Sequence, residues 1–215
     1  EQAKEMAFLS KALLIALFMI FLIIVSQFNS VSTPFAIGFS VVFSLIGVLL
    51  GLVVFQMEFV IIMTMIGIIS LAGVVVNNAI VLIDYTNLLR ARRRAALGFG
   101  EGQSAEEDTK LPFTEVNSAI IQGGKTRLRP VLLTAITTVL GLLPLAIGLN
   151  IDFVGLVTNY NPNIYVGGDN NVFWKPMSWA IIFGLTFATF LTLIIVPVMY
   201  WWIERTTYKL AGRAV

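Results

Sequence analysis

The sequence contains no cysteine and no histidine, and only 12% of its 215 residues are charged. The first absence excludes disulfides and thiolate metal sites. The second removes the commonest metal ligand and the side chain that titrates nearest neutral pH. The shortage of charge says most, because a soluble domain of this length carries about a quarter charged residues. The few charges are also segregated: none lies between Lys11 and Glu58, from Val131 to Ile151, or from Pro176 to Ile203. In a chain that is 58% hydrophobic, with a mean hydropathy of +0.90, runs of that length predict membrane-spanning helices. The net charge of +2 is small and gives no reason to expect a nucleic-acid partner. The partner that composition does imply is the lipid bilayer.

The expected fold class is therefore all-α, a polytopic bundle of five transmembrane helices. The first span runs from about Met6 to Phe28, with Lys11 able to snorkel to the headgroups. An uncharged turn, Asn29–Thr33, leads to Pro34, which suits a first helical turn because it has no N–H to leave unpaired. The second span, Phe35–Phe55, carries Ser40/Ser44 and Gly47/Gly51, small-xxx-small pairs that permit close helix packing. Gln56-Met57-Glu58 is a tight break before the third span, Phe59–Ile83, whose helix continues to about Arg94. The hydrophilic stretch 84–130 reads as a loop holding a short helix from Pro112, ended by Gly123-Gly124. Pro130 precedes the fourth span, Val131–Leu149, in which Pro144 predicts a kink. A polar and aromatic loop, 150–175, leads to the last span, 176–203, with Trp179 near one end and Trp201-Trp202 at the other as interfacial anchors.

Basic residues set the expected orientation. Arg90, Arg92, Arg93, Arg94, Lys110, Lys125, Arg127 and Arg129 crowd the stretch 84–130, and the 150–175 loop has only Lys175. The positive-inside rule then puts 84–130 and the C-terminus in the cytoplasm, and 150–175 and the N-terminus in the periplasm. The chain opens Glu-Gln-Ala-Lys-Glu; Glu1 and Glu5 spoil a signal-peptide n-region, and no small-x-small cleavage site follows the first apolar run. The expectation is a segment of a longer polypeptide.

The most informative stretch is Gly73–Tyr85, where two adjacent amides, Asn77 and Asn78, sit in a run otherwise suited to lipid. Polar groups there are costly unless they meet partners in a bundle, so they mark a candidate site. Asn77 lies two turns deeper than Asp84, roughly 10 Å. Thr134, Thr137 and Thr138 lie roughly 8–13 Å in from Arg129. The two spans can therefore bring amides and hydroxyls to one depth. Thr134, Thr137, Thr138 and Gly141 follow helical spacing and share a thin, polar face. Two readings of this constellation stand. Asn can simply join two helices while Thr bonds back to its own helix, or the groups can line an ion or proton path. Arg127 lies just before the Thr face, where a fixed cation is felt by any carboxylate exchanging protons nearby. Asp84 reads as an exposed charge at a helix end. Arg92-Arg93-Arg94 reads as a topology signal meeting anionic headgroups.

Nothing in the spacing is catalytic: there is no carboxylate pair, nucleophile–base arrangement, metal cluster or phosphate loop, so neither an enzyme nor a cofactor is expected. Gly98-Phe99-Gly100-Glu101-Gly102 is glycine-rich, but it follows a helix and lacks a Lys-Ser/Thr ending. It reads as a flexible loop.

Three stretches carry a family resemblance. Gly73–Tyr85, the run Gly123-Gly124-Lys125-Thr126-Arg127-Leu128-Arg129-Pro130-Val131-Leu132-Leu133-Thr134, and Gly141-Leu142-Leu143-Pro144-Leu145 resemble the C-terminal membrane half of resistance-nodulation-division (RND) efflux pumps, in the hydrophobe/amphiphile branch. Phe28-Asn29-Ser30 before Pro34-Phe35 resembles the junction of that family's eighth and ninth spans, and Pro197-Val198-Met199-Tyr200 the end of its twelfth. The resemblance covers essentially the whole chain. It implies a proton-driven drug antiporter, a homotrimer in the bacterial inner membrane, working with a periplasmic adaptor and an outer-membrane channel. It also implies a proton relay that joins a carboxylate pair on the fourth span to groups on the tenth and eleventh. Thr134 and Arg127 match the eleventh-span Thr and the Arg before it. Asn77 falls where the best-known members carry Lys, a departure, because an amide cannot supply the charge that answers a deprotonating carboxylate. The carboxylate pair and the drug-binding porter domains would come from an N-terminal half and from domains outside this sequence. The alternatives are a non-transporting membrane scaffold or half-subunit, and a related secretion or lipid exporter of the same superfamily.

Overall fold

The computed structural model describes residues 2–28, 32–98, 111–151, 157–158, 160 and 163–210. Residues 29–31 of the turn expected at Asn29–Thr33 and nearly all of the glycine-rich loop lie outside the described residues. Among the described residues, five helices are long and apolar enough to cross a membrane: α1 (Gln2–Phe28), α2 (Ser32–Val54), α3 (Ile61–Ala96), α4 (Phe113–Ile147) and α5 (Asp169–Leu210). A two-residue antiparallel pair, β1 (Leu149–Asn150) with β2 (Tyr165–Val166), joins α4 to α5. The protein is a multi-pass, all-α membrane protein.

α5 is the centre of the bundle and packs against α2, α3 and α4, while α1 packs mainly against α2 and α3. Lipid is as apolar as leucine, so association here depends on close fit rather than on escape from water. The α2–α5 seam shows that fit. A Cβ placed on Gly47 or on Gly51 would lie 2.5 Å from the Cβ of Phe187 or Phe183, respectively. In return, Gly184 on α5 admits Val48 and the carbonyl of Ser44 from α2, together with Leu71 from α3. Ser40 and Ser44 are buried in α2 and donate back to the carbonyls of Ile37 (2.5 Å) and Val41 (2.7 Å). Their small size, rather than their polarity, serves the packing.

The break after α2 has a defined geometry. Met57 N–H donates to Leu52 O (2.9 Å) and Gln56 N–H to Val53 O (3.2 Å), the bond pair of a Schellman motif. Gln56 holds the left-handed position, with φ of 50°. A side chain there costs roughly 1 kcal/mol that glycine does not incur. Gln56→Gly is therefore expected to raise stability by about 0.5–1 kcal/mol, measured by thermal unfolding in detergent.

The stretch 84–130 differs from its expected form. It is mostly helical: α3 continues to Ala96, and α4 runs unbroken from Phe113 through Gly123-Gly124 and Pro130. Local breakers lose here to tertiary contacts. Gly123 lies so close to α3 that a Cβ on it would come within 2.6 Å of Thr86 Oγ1. The Arg93 guanidinium also grips the first turns of α4, donating to Glu115 Oε2 (2.7 Å), Gln122 Oε1 (2.9 Å) and the Ser118 hydroxyl. The fourth span thus has no separate start at Val131. At the opposite end, Gly148 takes the left-handed conformation (φ 75°) that closes α4. α5 begins at Asp169 rather than at Pro176, and Pro176 and Pro197 lie inside it. Trp179 does more than mark an interface: its indole N–H donates to Ala146 O at the end of α4 (2.9 Å), and its ring stacks with Phe55 and Phe183.

Candidate functional site

α3 and α4 run antiparallel, and their contacts fix the register. Arg93 meets Glu115, Thr86 meets Gly123, and the Arg127 guanidinium lies 4.4 Å over the Tyr85 ring. Deeper still, Val75 and Ala135 share one buried cluster with Leu71, Leu185 and Ala188. As numbers fall along α3 they rise along α4. Seven residues return a helix to nearly the same face two turns on. Asn78 therefore repeats the position of Tyr85, and Thr134 repeats that of Arg127. By that repeat, the positions two turns deeper than Tyr85 and Arg127 are those of Asn78 and Thr134.

The register also separates the two amides. Asn78 is half-buried, whereas Asn77, about 100° around the helix, is exposed. Gly73, one turn from Asn77, has open space above its Cα, as does Gly141 on α4. Thr134 and Thr137 are exposed, and Thr138 is half-buried. Asn77, Asn78 and these threonines thus make up a polar strip that the described residues leave exposed or half-buried. Among the described residues, no hydrogen bond joins the amides to Thr134.

Each hydroxyl of the strip donates to its own helix. Thr134 bonds Val131 O (2.9 Å), Thr137 bonds Leu133 O (2.9 Å) and Thr138 bonds Thr134 O (2.8 Å). A hydroxyl with its proton so placed presents only lone pairs. Toward a neighbouring group the threonines are acceptors, ready for an amide N–H or a protonated carboxyl. The amides of Asn77 and Asn78 can both donate and accept. Arg127 is half-buried; among the described residues its enclosed Nε has no hydrogen-bond partner, and its guanidinium makes a cation–π contact with the Tyr85 ring. Asp84 is exposed, but it lies well inside α3 rather than at a helix end. Among the described residues, no three Asp or Glu side chains gather as a metal site.

One polar cluster escaped the sequence reading. Arg90, 3% exposed, makes a two-pronged ion pair with Glu204 of α5, through Oε1 at 2.7 Å and Oε2 at 3.2 Å. The same guanidinium donates to the Tyr200 hydroxyl, which in turn donates to Asn87 Oδ1 (2.6 Å). Helical spacing within Asn87/Arg90 and Tyr200/Glu204 was the available signal. Arg90 had counted only as one more basic residue near a membrane surface.

Five apolar helices bearing a polar intramembrane strip define a membrane-domain segment of transporter type. A sequence profile of the AcrB/AcrD/AcrF family matches residues 1–204, and the chain belongs to that family of RND transporters. It is 38% identical over 192 residues to swarming motility protein SwrC of Bacillus subtilis (strain 168), covering 89% of this chain and 15% of SwrC. Identity to multidrug resistance protein MdtC of Erwinia tasmaniensis is 31% over 160 residues, or 74% of this chain and 12% of MdtC. The cobalt-zinc-cadmium resistance protein CzcA of Cupriavidus metallidurans is 28% identical over 186 residues, or 86% of this chain and 14% of CzcA. The crystal structure of a heavy metal efflux pump superposes with a TM-score of 0.61 at 26% identity, over 88% of this chain and 15% of that one. The chain thus spans about 15% of the length of SwrC.

Proposed function

We propose that this chain is the distal part of the membrane domain of a proton-driven RND efflux transporter and that its open polar strip contributes to the proton relay. The observation that supports the reading is the α3–α4 register, anchored by Arg127 over the Tyr85 ring, from which the helical repeat would bring Asn78 near Thr134 two turns deeper. Polar groups left open at membrane depth call for partner helices, because lipid cannot satisfy them. The partner is the transporter's N-terminal half, whose carboxylate pair would face the strip. Thr134 then accepts from the protonated carboxyl, Asn77 and Asn78 reorient as its charge changes, and the Arg127 cation favours the ionised state. The excess of basic residues at the 84–130 end supports a cytoplasmic C-terminus and a periplasmic N-terminus in the inner membrane. Homotrimer assembly, a periplasmic adaptor and an outer-membrane channel follow from the family. The names of MdtC and CzcA point to drugs and to metal cations as export classes; the motifs favour the amphiphilic drugs.

The back-bonded threonines fit a packing role as well, and one substitution separates the two. Thr134→Ala in the intact transporter is expected to abolish resistance to exported compounds at unchanged expression and assembly. Full resistance in that variant would assign the strip to helix packing and favour the scaffold reading.

A further inference from the structure

The Arg90–Glu204 pair, with Arg90 buried and Glu204 16% exposed, lies outside the proposed relay, yet Arg90 sits on the helix that carries Asn77 and Asn78. Burying two charges is a poor way to gain stability, since well-packed apolar residues of similar volume do as well or better. What such a pair offers is a fixed geometry. Arg90 meets both carboxylate oxygens, and its planar fork allows that in one orientation only. Tyr200, 6% exposed, closes the set by bonding Asn87, one turn from Arg90. Two residues of α3 are thereby held to two of α5.

The consequence lies in rotation. Counting at 3.6 residues per turn, Asn77 and Asn78 stand roughly 120–140° around α3 from Arg90, one on either side of the far face. Fixing Arg90 toward α5 fixes where both amides point. The apolar contacts between α3 and α5 cannot do this alone, because Val, Leu and Ala side chains tolerate small rotations in a way that a bidentate ion pair does not.

We propose that Arg90 and Glu204, with Tyr200 and Asn87, form a positioning clamp that sets the rotation of α3 and so presents the Asn77–Asn78 face outward to the partner helices. None of the four touches the transported proton. The proposal rests on the reading of those amides as relay groups, and its test must be able to fail separately from that reading.

The experiment uses the full-length transporter, otherwise free of cysteine, in proteoliposomes. Spin labels are placed through Val81→Cys, roughly opposite Arg90 on α3, and Val198→Cys, exposed on α5. In Arg90→Met/Glu204→Leu, which removes both charges together, the inter-label distance distribution should shift or broaden. Turnover should fall on the order of 10-fold with the KM for substrate unchanged. Glu204→Gln, which keeps the shape and removes the charge, should move the distance in the same direction and serves where the double variant does not fold. An unchanged distribution in a folded variant overturns the clamp. A shifted distribution with full turnover keeps the clamp and removes Asn77 and Asn78 from the relay.

Discussion

Gly47→Leu/Gly51→Leu is expected to leave little folded protein in the membrane. Both glycines face α5 at points where even a Cβ would lie 2.5 Å from the Cβ of Phe187 or Phe183. A Cβ cannot swing aside as the end of a long side chain can, so the two helices must separate. Phe183 is also held in a stack with Phe55 (4.9 Å between centroids) and Trp179 (5.1 Å), which limits its retreat. Overpacking of this kind costs about 1–3 kcal/mol or more at each site. That is a large share of the 5–15 kcal/mol that typically holds a folded domain. In a membrane no hydrophobic force between helices compensates, because separated helices are equally well solvated by lipid. The measurement is the fraction of detergent-extracted protein that stays monodisperse on gel filtration, compared with Gly38→Leu. Gly38 has open space above its Cα, so that control should behave as the parent. Equal yields for all three would show that α2 is not held by its glycines.

Glu204→Ala is expected to be the most damaging single change at the basic end. It leaves the Arg90 guanidinium, 3% exposed, without the carboxylate it now faces. Removing one partner of a buried pair typically costs about 3–5 kcal/mol, because the other charge stays desolvated. The exposed partner of a comparable pair gives the contrast. Arg93 and Glu115 are 26% and 42% exposed, so Glu115→Ala should cost no more than about 1 kcal/mol. Thermal unfolding in detergent should rank the two clearly, with Arg90→Met/Glu204→Leu much milder than Glu204→Ala alone. If both single substitutions have the same small effect, Arg90 has water or another residue to turn to.

How much of this could be read from the residues depends on the range of the physics involved. The apolar runs of α1, α2 and α3 were legible because span length and composition are local properties. A level for Asn77 and Thr134 can be counted inward from Asp84 and Arg129 for a similar reason, because helical rise is fixed. The face was harder. Depth counting alone does not distinguish the faces of Asn77 and Asn78; the i, i+7 relation of Asn78 to Tyr85 does so only once the Tyr85–Arg127 contact is known. The start of α4 was misread because Gly123-Gly124 and Pro130 are local stop signals, whereas Thr86 and Arg93, which override them, belong to another helix. The Arg90–Glu204 pair joins residues separated by 114 positions, and the helical spacing within Asn87/Arg90 and within Tyr200/Glu204 does not say that the two segments meet. Single charges near a membrane surface read as topology signals until a partner is seen.

The central claim is that the Asn78–Thr134 strip takes part in proton coupling rather than only in helix packing. The most direct test is proton flux in proteoliposomes containing the intact transporter, with an imposed pH gradient and exported substrate present. Thr134→Ala is expected to bind substrate as the parent does while substrate-stimulated proton movement falls to the level of empty vesicles. Proton movement at the parental rate in that variant would contradict the account.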